Sequence, residues 1–128
     1  VTRLHLDYAK QNVVQRNVFT DVDYGIRVED DGNTIASNRF RSSDATDQAI
    51  LVGTAHRTSV LGLPVTGTTI TGNSSQIRDN PAPFGWLHGH EDTTFERNRA
   101  RGRLATLVPG VQPTINFHLF VKQILPGA

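Results

Sequence analysis

The chain contains no cysteine and no methionine. Disulfides and thiolate metal sites are therefore excluded, and cysteine usage leaves no mark of a redox compartment. Lysine is scarce: Lys10 and Lys122 stand alone, and the other basic residues are arginine. A net charge of +1 gives no bulk attraction to nucleic acid or to an anionic membrane. No apolar run approaches the roughly 20 residues of a membrane span, so no membrane partner is expected. A chain that opens at Val1 and holds no methionine reads as a processed chain or as a fragment of a longer one. At 128 residues it is long enough for one domain.

Helical spacing of apolar residues is also scarce. What is present has period two: Leu4 and Leu6, Ile26 and Val28, Ile50 and Val52 alternate with residues of other kinds. Val, Ile, Thr and Phe dominate these runs, as a pleated surface prefers. Gly, Asn, Asp and Ser punctuate them at turn positions.

One word recurs four times: an apolar residue, two variable residues, then Asn. Its copies are Val14 to Asn17, Ile35 to Asn38, Ile70 to Asn73 and Phe95 to Asn98. The Asn spacings are 21, 35 and 25. Periods in the low twenties are those of solenoids with one coil per repeat. Asn suits the corner of such a coil, because it tolerates the left-handed conformation and bonds nearby backbone. Stacked Asn side chains can also bond one another. Gly25 to Arg39 aligns without a gap on Gly85 to Arg99, which sets Trp86 opposite Ile26, His88 opposite Val28 and Arg99 opposite Arg39.

Tyr24-Gly25-Ile26-Arg27-Val28, Asn33 to Phe40 and Gly67 to Asn73 resemble the right-handed parallel β-helix superfamily, the one that contains the pectate lyases. The resemblance implies an all-β right-handed parallel β-helix, a solenoid of about four coils. The coils would occupy residues 1–103, and a C-terminal cap residues 104–128. Four coils at about 4.8 Å each give about 19 Å of stack. Its first coil would be left open, so another chain or segment is expected over it, a second copy of the chain among the options.

The resemblance also implies action on a polysaccharide, as a lyase, hydrolase or epimerase, outside the cell or at its surface. The alternative is a non-catalytic module for adhesion, assembly or carbohydrate binding. The long spacing before Asn73 implies an insertion of roughly 10 to 14 residues, and insertions in solenoids often build the binding face. It falls at Thr54 to Val65 and holds His56 and Arg57. Those residues would line a substrate cleft, or the loop would fold its apolar residues over the coil edge.

His90 joins His56 and Arg57 as a candidate for proton transfer. A satisfied turn histidine is the other reading of His90. Arg27, Glu29, Arg97, Arg99 and Trp86 are the candidates for substrate binding. For Trp86, core packing competes with sugar stacking. Arg97, Arg99, Arg101 and Arg103 alternate, which on one strand would make a guanidinium row for an acidic polymer or nucleic acid. A solvated face paired with acids is the competing reading. No cofactor is expected. Calcium at Asp21, Asp23 and Glu29 to Asp31 is one metal the residues allow, although Asp30-Asp31-Gly32-Asn33 also reads as a tight turn; His88 and His90, with Glu91 or Asp92 nearby, have a spacing that could bind another.

Overall fold

Sharp backbone bends come in pairs along this chain. Gln11, Gly32, Gly67 and Asp92 adopt positive φ, and so do Arg16, Ser37, Gly72 and Arg97, all between 55° and 70°. A left-handed residue turns an extended chain within one step. Between each pair of bends lies a three-residue strand: β2 (Val13–Gln15), β5 (Thr34–Ala36), β8 (Thr69–Thr71) and β11 (Thr94–Glu96). Its central residue, Val14, Ile35, Ile70 or Phe95, turns inward, and Ile35 and Ile70 are fully buried. The computed structural model describes residues 4–6, 10–53, 62, 64–87, 90 and 92–110.

The second bend leads into β3 (Val18–Thr20), β6 (Arg39–Ser42), β9 (Ser74–Ile77) and β12 (Arg99–Ala100). A third set of strands comprises β1 (Leu4–Leu6), β4 (Tyr24–Val28), β7 (Gln48–Val52), β10 (Phe84–Trp86) and β14 (Val108–Pro109). The short β13 (Arg103–Leu104) completes the described elements. Three sheets result, ordered β1-β4-β7-β10-β14, β11-β8-β5-β2 and β13-β12-β9-β6-β3. The chain visits them in rotation, so each circuit adds one strand to every sheet. All pairings are parallel except β12 with β13. The protein is all-β with repeating parallel sheets, and no helix occurs among the described residues. Of the expected cap at 104–128, β14 adds an edge strand to the first sheet, and residues 111–128 lie outside the described residues.

The recurrent Asn does not itself take the left-handed conformation. The residue before it does, and the Asn turns its amide into the stack. Asn17 Nδ2 donates to Asn38 Oδ1 at 3.2 Å, Asn38 Nδ2 to Asn73 Oδ1 at 3.0 Å, and Asn73 Nδ2 to Asn98 Oδ1 at 2.9 Å. The same oxygens accept the backbone N–H of Asn17, Asn38 and Asn73. The remaining amide proton closes on a strand carbonyl: Val14 for Asn38, Ile35 for Asn73 and Ile70 for Asn98. Backbone groups that a bend would leave buried and unpaired are satisfied in this way. A non-glycine residue in the left-handed region costs roughly 1–2 kcal/mol, and this network offsets it.

The interior is sealed by aromatics. Phe19 and Phe40 occupy successive positions of one column and stack at 5.0 Å with planes 12° apart. The column continues as Ser75 and Ala100, which are too small to fill it. Phe84 enters from the first sheet, 6.5 Å from Phe40 and 5.5 Å from Phe95, both edge to face. That crowding explains Gly25: a Cβ there would lie 2.6 Å from both the Phe40 ring and the Ala49 carbonyl oxygen.

The ungapped alignment slips in the first sheet. Phe84, not Trp86, is in register with Ile50 and through it with Ile26; Trp86 sits in register with Val52 and Val28. The stretch from Trp86 to the bend at Asp92 is longer than that from Val28 to the bend at Gly32, and the extra residues displace β10.

Candidate functional site

The structure separates the candidate residues into three groups. His56 and Arg57 lie outside the described residues, as does His88. His90 is half-buried and stacks on Trp86, with ring centroids 4.1 Å apart and planes 19° apart. Its Nδ1 is buried without a hydrogen-bond partner. Trp86 is itself half-buried, so packing against His90 takes part of the ring surface that a sugar would need.

Arg27 and Glu29 form the second group. They make an ion pair at 3.0 Å, with side chains only 1% and 9% exposed. A guanidinium and a carboxylate at this distance neutralise each other, and their burial withdraws both from the surface. The neighbouring acids serve the backbone. Asp30 accepts the Asp31 N–H at 2.8 Å, and Asp31 accepts the Thr66 N–H at 3.0 Å. Asp23 accepts from the Tyr24 N–H, Asp21 from Ser43, and Asp44 from Thr46. Asp47 is buried and accepts the Ser42 hydroxyl. Burial pushes the Asp47 carboxyl above the usual carboxylate range, with Asp44, Asp23 and Asp21 adding repulsion and Ser42 opposing them. The Thr46 N–H and hydroxyl hold Asp44 below that range. No group of three or more His, Asp or Glu able to hold a metal ion occurs among the described residues.

The third group is the outer face of the third sheet. Strand alternation places Phe19, Phe40, Ser75 and Ala100 inward there, and so places their neighbours outward. One outward row reads Val18, Arg39, Ser74, Arg99, each in register with the next. The second reads Thr20, Arg41, Gln76. Arg101 follows β12 directly, exposed, with its N–H on the Ser75 carbonyl. Arg39, Arg41, Arg99 and Arg101 are all exposed, and among the described residues none of them makes an ion pair. Arg99 reaches only the Gly102 carbonyl, at 3.4 Å. No carboxylate stands among the outward residues of these strands.

A single row through Arg97, Arg99, Arg101 and Arg103 does not form. β12 is only Arg99–Ala100, and Arg97 and Arg101 occupy left-handed bends on either side of it. The chain then reverses, so Arg103 pairs with inward Ala100 on antiparallel β13. Arg97 instead reaches the Thr71 hydroxyl at 3.4 Å, over the second sheet. The basic face is built across strands, by Arg39 and Arg41 on β6 and by Arg99 and Arg101 two strands on. Neighbouring strands lie about 4.8 Å apart, which sets the two Arg pairs about 9.6 Å apart; within a pair the step is about 6.6 Å.

Arg39 and Arg41 also read from the sequence, with Arg99, as part of a two-coil Arg surface, whereas Gln76 does not stand out there. Phase could have found it, because it stands two residues after Ser74 and shares its outward side. No family model, curated protein or solved structure matches the chain.

Proposed function

We propose that the chain is a right-handed parallel β-helix whose third sheet binds an acidic polysaccharide, as a non-catalytic module of adhesion or assembly at a cell surface or outside the cell. The rotation of the chain through three parallel sheets supports the architecture, since connections between parallel strands are almost always right-handed. One observation carries the function: four exposed guanidiniums lie along a sheet whose described strands hold no carboxylate, and Asp21, just past β3, accepts the Ser43 N–H. An Arg fork takes a carboxylate or sulfate through two parallel hydrogen bonds, and a rigid sheet spares the backbone share of the ordering cost, leaving about 0.5–1.5 kcal/mol for each side chain that is fixed.

Nucleic acid fits this face less well. Each strand of a duplex carries one phosphate per about 3.4 Å of helix axis, far denser than Arg pairs about 9.6 Å apart. The net charge of +1 also gives no wider basic field. Catalysis on the same polymer would draw on His56 and Arg57, and the binding reading does not depend on them.

Affinity electrophoresis in gels containing an acidic polysaccharide tests the reading. The chain is expected to be retarded at low salt. Arg39→Ala combined with Arg99→Ala is expected to weaken binding at least about tenfold, roughly 1.4 kcal/mol, with an unchanged circular dichroism spectrum. Equal retardation of the double variant would remove the site.

A further inference from the structure

The basic face is not evenly charged, and from its spacing we infer that its ligand is an acidic polysaccharide in which charged and uncharged sugars alternate. The inference rests on the polyanion reading of the third sheet. Across the strands the first row runs Arg39, Ser74, Arg99. The second runs Arg41, Gln76, with Arg101 beyond. In these two rows guanidinium stands on β6 and at β12, about 9.6 Å apart, with a neutral hydrogen-bonding side chain between; Arg78, just past β9, lies beyond both rows and pairs with Asp79 at 3.9 Å.

A polymer lying across the strands meets cation, neutral group and cation in turn. Two strand spacings are close to the length of a disaccharide. The Arg pairs take the carboxylates of alternate sugars. Ser74 offers a hydroxyl that both donates and accepts, and Gln76 an amide that does the same, which suits the hydroxyls or the acetamido group of an uncharged sugar. A polymer charged on every sugar would press a carboxylate against Ser74 and Gln76. Neither can neutralise it, and desolvating a charge without a counter-charge is costly. The face therefore selects by the period of charge and not by its amount.

Isothermal titration of the full chain, at equal oligosaccharide length and low ionic strength, compares four probes. They are hyaluronan oligomers (alternating glucuronate and N-acetylglucosamine), oligogalacturonate (charged on every sugar), a neutral dextran oligomer and single-stranded DNA. Hyaluronan is expected to bind about tenfold tighter than oligogalacturonate although it carries half the charge. Gln76→Lys, at an exposed position, is expected to reverse that preference, and Ser74→Lys to act in the same direction. Equal or tighter binding of oligogalacturonate by the unaltered chain overturns the alternation and leaves the polyanion face standing. A preference unmoved by both lysine variants also overturns it. Tightest binding to DNA, or no binding to any anionic probe, overturns the alternation and the polysaccharide reading together.

Discussion

Asn73 shows what a single residue does in this stack. Its oxygen accepts both the backbone N–H and the side-chain amide of Asn38, and its own amide donates to the Ile35 carbonyl and to Asn98 Oδ1. Asn73→Ala therefore leaves several buried polar groups without partners, each costing about 1–3 kcal/mol, and about 3 kcal/mol or more in sum is expected. Asn17 sits at the exposed end of the same ladder and only donates there. Asn17→Ala is expected to cost about 0.5–1.5 kcal/mol. Urea unfolding of the two variants measures the contrast; equal losses would mean that the ladder is not what holds the corner. The ladder was legible because an amide that repeats at a corner leaves its letter in the sequence. Of the companion bends at Gln11, Gly32, Gly67 and Asp92, only Gly32 stood in a stretch that read as a turn, Asp30 to Asn33; the others were hidden because the left-handed position is filled by three different residue types. Their spacing matches that of the Asn positions.

At the scale of the element, period two located β4 and β7 and their core residues Ile26, Val28, Ile50 and Val52, because one face of these strands meets the core. Register in the first sheet was not readable in the same way. The stretch of sequence from Trp86 to Asp92 is two residues longer than that from Val28 to Gly32, and an alignment anchored on the Asn corner carries that error back into β10. The connection between β6 and β7 supplies a pH test. Asp47 is held there above the usual carboxylate range, first by burial and then by Asp44, Asp23 and Asp21. A carboxyl whose pKa is higher folded than unfolded penalises the fold while charged. The penalty is full above the folded pKa, shrinks as the folded state protonates, and is gone below the ordinary carboxylate pKa. Asp47→Asn keeps an oxygen for the Ser42 hydroxyl and removes the charge. It is expected to raise the thermal midpoint at pH 7, with the gain closing as the pH falls through the raised pKa. A gain that stays constant into acid would show that the hydrogen bond, not the charge, matters at this position.

For the whole molecule, stability and binding make opposite demands on the basic face. Four like charges on one rigid sheet repel one another, and no carboxylate on that sheet relieves them. The repulsion reaches across the face at 0.01 M salt, where the screening length is about 30 Å, but fades near 0.15 M, where it is about 8 Å and shorter than the step between Arg pairs of about 9.6 Å. Raising salt over that range is therefore expected to raise the thermal midpoint of the free protein slightly. The same change weakens a polyanion complex through lost counterion release, with a log–log slope no steeper than about −4 for four Arg contacts. Arg39→Ala with Arg99→Ala is expected to flatten both trends at once, because the same charges cause both. Differential scanning fluorimetry and titration over one salt series read the two slopes. If the binding slope flattens while the stability slope does not, the repulsion lies elsewhere on the molecule and the face is not the electrostatic unit described.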